Sequence, residues 1–88
     1  RFFLESVNAV FNERDIYTDK GERVKIDRMI IKEEQIDIID YKSTYVQDMV
    51  ESHKEQVNNY KKIVEELYPD KTIEGYIVFI KECDILKV

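Results

Sequence analysis

The stretch IDRMIIKEEQIDIIDYKS, Ile26 to Ser43, decides the fold. Two apolar runs flank Glu33 and Glu34, and each carries an aspartate at the end farther from that turn. If the two glutamates form a two-residue hairpin tip, residue 32 sits opposite 35 and the ladder proceeds outward from there. Asp27 then faces Asp40, Met29 faces Ile38 and Ile31 faces Ile36. One face of the hairpin is apolar near the turn and acidic at its far end, and Lys42 projects from that face too. A one-residue slip would scatter these side chains over both faces, so the pattern itself pins the register.

Directly opposed residues hold their Cβ atoms about 4.5 to 5.5 Å apart, and like charges at that distance destabilise a sheet. A divalent cation would relieve the repulsion. Mg²⁺ takes oxygen ligands, commonly one or two carboxylates plus waters and a phosphate. Lys42 beside it would orient a water or stabilise charge building on a phosphate in the transition state. The plain alternative is a pair of solvated acids with a surface ion pair to the lysine.

Outward from the hairpin, Phe2, Phe3, Val7, Val10 and Phe11 recur at spacings of three and four, which predicts a helix at the start of the chain. RDIYTDKGERVKI reads as two strands joined at Asp19-Lys20-Gly21, with the glycine at a positive-φ turn position. From Tyr45 to Tyr68 the apolar positions keep helical period, with Thr44 and Gln47 as a capping box and Pro69 at the stop. TIEGYIVFI then reads as a buried strand and CDILKV as a last one. Strand, long helix, strand is a crossover unit, so the fourth strand should lie parallel to the third. The expected fold class is α/β: a mixed four- to five-stranded sheet, its first three strands antiparallel, flanked by helices.

At 88 residues the chain is one small domain, residues 1–88, which buries about 60 to 65% of its extended surface. It starts at Arg1 without a methionine and stops just after an apolar segment, so we expect a fragment of a longer protein. No apolar run approaches the roughly 18 residues of a membrane span, so no membrane partner is expected. The lone Cys83 fits a reducing cytosol, prokaryotic on this reading. A net charge of −5 argues against nucleic acid at first sight, because phosphate binding wants clustered Lys and Arg. A carboxylate cluster that holds a cation weakens that objection.

The residues I-D-R-M, then I-I-D-Y-K-S, then Q-V-N-N-Y on the following helix, resemble the PD-(D/E)XK nuclease superfamily, and within it the RecB-like and AddA-like nuclease domains. N-E-R-D-I before a glycine turn and I-E-G-Y-I-V-F-I after the helix look like the nuclease segment at the C-terminal end of UvrD-type helicase-nucleases. The likeness covers residues 12–88. It implies a restriction-endonuclease-like core and a metal-dependent deoxyribonuclease, an exonuclease in DNA end processing and double-strand-break repair. Its partners would be DNA and helicase domains of the same or another polypeptide. Carried over residue by residue, Asp27 and Asp40 would hold Mg²⁺ or Mn²⁺ with the backbone carbonyl of Tyr41, and Lys42 would be the catalytic lysine. Gln56 and Tyr60 would position the DNA strand and order the site, with His53 one turn earlier as a weaker candidate. These nucleases usually add a ligand from a helix before the first strand, for which Glu5 is the choice here over Glu13. Two alternatives stay open: a catalytically impaired DNA-binding or scaffolding module, and a stand-alone restriction-type endonuclease.

Overall fold

The computed structural model describes residues 7–18 and 20–88. Five strands form one sheet in sequential order: β1 (Val7–Tyr17), β2 (Arg23–Lys32), β3 (Gln35–Lys42), β4 (Thr72–Phe79) and β5 (Asp84–Lys87). The first three strands run antiparallel, β4 lies parallel to β3, and β5 returns antiparallel to β4. The connection from β3 to β4 is α1 (Val50–Leu67), preceded by a single 3₁₀ turn at Gln47–Met49. Parallel neighbours need such a crossover, and the apolar stripe of α1 supplies the cover for one face of the sheet. The mixed sheet and its crossover match the sequence expectation.

Two expected features differ. The helix expected over the first 11 residues is β1 from Val7 onward; its earlier part, with Phe2, Phe3 and Glu5, lies outside the described residues. The misleading spacing spans a register shift of the β1–β2 ladder between Val7 and Ala9, and a second irregularity follows it. The core-facing residues of β1 are Ala9 and Phe11 and then Ile16, so the alternation of the strand changes phase around Glu13. Glu13 has φ 53°, a left-handed conformation that turns the pleat over. On β2 the same change falls between Ile26 and Met29, both fully buried.

The capping box at Thr44 and Gln47 is also absent. Thr44 donates its hydroxyl to Glu82 Oε2 at 2.7 Å, and the Tyr45 N–H donates to Glu82 Oε1 at 3.1 Å. The helix begins only after the 3₁₀ turn and has no side-chain cap. Glu82, from the turn between β4 and β5, has captured the group that would have capped it.

The core lies between α1 and the sheet. Val57 and Val64 are fully buried against Ile36, Ile38, Ile73 and Ile77, with Tyr60 beside them. Gly75 of β4 lets the helix come this close: a Cβ there would lie 2.5 Å from Val57 Cγ1 and 3.0 Å from Lys61 Cδ. Gly21, by contrast, serves its turn with φ 81°, its N–H bonded to the Thr18 carbonyl at 2.9 Å. No helix among the described residues covers the opposite face, where Ile30, Ile39, Tyr76 and Val78 are half-buried. Nor is any helix there long and apolar enough to cross a membrane.

Gly75→Ala should overpack this contact and cost about 1–3 kcal/mol in chemical denaturation. An unchanged midpoint would mean that α1 is free to lift away from β4. Glu82 makes a pH-dependent contribution. Its carboxyl is held below the ordinary glutamate range, first by the Thr44 hydroxyl and then by the Tyr45 N–H. A depressed carboxyl stabilises the fold above its unfolded pKa, and that stabilisation is lost as pH falls through the folded value. Glu82→Ala should therefore lower the melting temperature at neutral pH, and the gap to the native chain should close in acid. A gap independent of pH would assign it to packing alone.

Candidate active site

The hairpin register is the expected one: Met29 pairs with Ile38 and Ile31 with Ile36. The ladder nevertheless stops at Arg28 and Ile39, one step before the aspartates. Beyond that pair the Tyr41 N–H donates to Asp27 Oδ2 at 3.0 Å. A carboxylate has thus taken the place of a backbone acceptor, and β2 forks away from β3. The pairing of β1 with β2 is interrupted at the same level, passing from Asn12↔Arg28 to Arg14↔Ile26. Asp27 sits where its strand is loosened on both sides.

Asp40 is only 4% exposed. Burial pushes its carboxyl above the ordinary aspartate range, Lys42 pulls it back, and the neighbouring Asp27 carboxyl pushes it up again. The Lys42 ammonium lies 3.1 Å from Asp40 Oδ2, yet that oxygen is buried and receives no well-directed hydrogen bond. The contact is an ion pair with the ammonium off the best hydrogen-bond direction. Lys42 also donates to Gln56 Oε1 at 3.2 Å, and Gln56 Nε2 donates to the Tyr60 hydroxyl oxygen at 2.8 Å. The Tyr60 hydroxyl is raised above its usual range by burial and then by the Asp40 charge, with Asp27 adding to it and the Gln56 hydrogen bond opposing. Gln56 and Tyr60 lie one helical turn apart on α1, so the crossover lays this pair over the end of β3.

Asp27, Asp40, Lys42, Gln56 and Tyr60 are therefore brought together. Tyr41 joins through its N–H, where the resemblance implies its carbonyl. His53 is half-buried one turn before Gln56 and joins none of these hydrogen bonds. Glu5 lies outside the described residues. Glu13 is exposed, with Oε1 3.8 Å from Lys25 Nζ. Among the described residues no third acid, histidine or cysteine completes a metal-binding group. Two adjacent carboxylates, one of them buried, still fit a hard, oxygen-seeking cation. The sequence gives no hint of Glu82, which fixes the chain just beyond Lys42, because its partners are 37 and 38 residues away.

No family model matches the chain, and no curated protein matches it either.

The raised Asp40 carboxyl has a testable consequence without added cation. The folded state holds its proton more tightly than the unfolded chain, so stability is greatest below the unfolded pKa of about 3.9 and falls as pH rises through the folded value. In chelator, Asp40→Asn should remove this decline and melt higher than the native chain at neutral pH, while the two converge in acid. A variant that melts lower at neutral pH would show that the Lys42 ion pair outweighs the burial of the charge.

Proposed function

We propose that this chain is the catalytic domain of a metal-dependent DNA nuclease with a restriction-endonuclease-like core. It would act as an exonuclease module of a helicase-nuclease in DNA end processing and double-strand-break repair. The observation that carries this reading is the buried Asp40, set beside Asp27 and ion-paired with Lys42. Surface ion pairs do not bury a carboxylate against a second carboxylate, because the desolvation and the repulsion both cost stability. The mixed sheet with a helical crossover, and the alignment of D, D-x-K and Q-x-x-x-Y on β2, β3 and α1, support the resemblance on which the finer assignment rests.

Asp27 and Asp40, with the backbone of Tyr41, would hold Mg²⁺ or Mn²⁺. Bound there, the cation would polarise a phosphoryl oxygen and lower the pKa of a water. The remaining work belongs to the side chains. Lys42 presents a fixed positive charge to a phosphate oxygen whose charge grows in the transition state. Gln56 fixes the direction of that ammonium, and Tyr60 fixes Gln56. The second reading is a nuclease-like DNA-binding or scaffolding module.

Cleavage of a DNA oligonucleotide by the intact protein in Mn²⁺ separates the two. Lys42→Ala should reduce cleavage about 10²–10³-fold, the cost of removing one transition-state donor. Calorimetric Mn²⁺ binding should survive in that variant, whereas Asp27→Ala should lose both cleavage and binding. Gln56→Ala should cost less than Lys42→Ala and act on kcat as well as on DNA affinity, since its amide touches Lys42. Full activity in Lys42→Ala would refute the catalytic role of Lys42, whereas no cleavage by the native protein would move the assignment to the binding module.

A further inference from the structure

Residues 43–49 link the end of β3 to the start of α1, and so they join Lys42 to the helix that carries Gln56. The backbone around the lysine is held at four points. The Tyr41 N–H donates to the Asp27 carboxylate at 3.0 Å, and the Lys42 and Ser43 carbonyls accept from the Ile80 and Lys81 N–H groups at 2.9 and 3.0 Å. The Tyr45 N–H donates to Glu82 Oε1 at 3.1 Å. The parallel register of β3 with β4 ends at Lys42 and Phe79, so the turn after β4 carries the ladder on past the two strands. Its last rung is a side chain, the Glu82 carboxylate, whose other oxygen accepts from the Thr44 hydroxyl at 2.7 Å. Cys83, directly after Glu82, has φ 55°, a conformation that a residue other than glycine keeps only where surrounding contacts impose it.

Hydrogen bonds to a charged acceptor are stronger than neutral ones, so a carboxylate that takes two donors from one short segment restrains its path. We propose that Glu82 is a positioning residue for Lys42: by clamping Thr44 and Tyr45 it sets the course of residues 43–49 and so keeps the Lys42 ammonium on Gln56. The Lys42 Nζ bond to Gln56 Oε1, at 3.2 Å, closes a ring made of the end of β3, that segment and the first turns of α1. The helix is anchored by the buried Val57, Tyr60 and Val64, so slack in the ring enters through the segment. A lysine stem can follow a small shift of its backbone, but the Gln56 amide cannot follow the ammonium without giving up the Tyr60 hydroxyl, to which it donates at 2.8 Å. Glu82 therefore acts at a distance, through the backbone beyond the lysine. The effect on cleavage rests on the nuclease reading, whereas the placement of Lys42 does not.

The side-chain amide signals of Gln56, followed by NMR on the intact protein in chelator and well below its melting temperature, report the contact with Lys42. Glu82→Ala should move them in the direction that Lys42→Ala moves them, and should move them no further when added to Lys42→Ala. Glu82→Gln should return them to their native positions, since its amide oxygen accepts the Tyr45 N–H and its amide nitrogen donates to the Thr44 hydroxyl. If Glu82→Ala does not fold, Thr44→Val removes one of the two bonds and should move the signals the same way by a smaller amount. Unmoved Gln56 signals in a folded variant overturn the proposal. So does a displacement of the same size with and without the lysine, which would make Glu82 a prop of α1 alone. On the nuclease reading, Glu82→Ala should also lower kcat by up to about 10²-fold with Mn²⁺ binding retained, and should cost nothing more in Lys42→Ala protein. The Gln56 displacement without cleavage by the native protein would sink the nuclease reading alone, and cleavage by the native protein with unmoved Gln56 signals would sink the positioning alone.

Discussion

A carboxylate that is 4% exposed sets the terms for everything around it. Burying the Asp40 charge is unfavourable unless opposite charge or hydrogen bonds meet it. Lys42 meets it from two residues along the same strand, where the pleat returns to the same face. The lysine in turn needs a second acceptor, which is the Gln56 carbonyl oxygen, and the amide end of Gln56 needs a place to donate, which is Tyr60. Each link fixes the rotamer of the one before it. Only Asp27 adds charge of the wrong sign, and its carboxylate is held by the Tyr41 N–H at the fork.

That chain of contacts requires α1 to lie close over β3 and β4. The parallel register carries Asp40 beside Ile77 and Lys42 beside Phe79, and Val57 packs on both partners. Gly75 removes the one side chain that would hold the helix off. Close packing of an apolar helix face thus places two polar residues of the same helix at the site. The energetics of the core and the geometry of the site are one arrangement, because Val57 and Gln56 are neighbours in sequence and Tyr60 belongs to both.

Much of this was legible in the sequence where a local rule was decisive. The two-residue turn at Glu33 and Glu34 fixed the register, and the length of the 45–68 segment forced a crossover. The features that escaped depend on contacts distant in sequence. Thr44 looked like a helix cap, but its hydroxyl is taken by Glu82. Val7, Val10 and Phe11 looked helical because the ladder shifts register between Val7 and Ala9, which breaks the alternation that would have marked a strand. The forking of β2 from β3 could not be read either. Opposed aspartates announce repulsion, but whether the ladder absorbs it or opens depends on the Tyr41 N–H finding a side-chain acceptor.

The two acceptors of Lys42 differ in what they can give up. On the nuclease reading, Asp40 Oδ2 faces competing demands, since the ammonium already lies 3.1 Å away and a divalent cation would seek the same oxygen. Two unit charges 4 Å apart interact by about 4 kcal/mol at an effective dielectric of 20, so a second cation beside Lys42 is repelled by an amount comparable with its attraction to one carboxylate. Asp27 supplies the further negative charge that tips this balance. Gln56 is neutral and would lose nothing beside a bound cation, so it would keep the ammonium in place where the carboxylate is shared. A phosphate group would answer both positive charges at once. On that reading, cation affinity would be low for the protein alone and would rise with an anionic substrate, which would tie the assembly of the site to the presence of DNA.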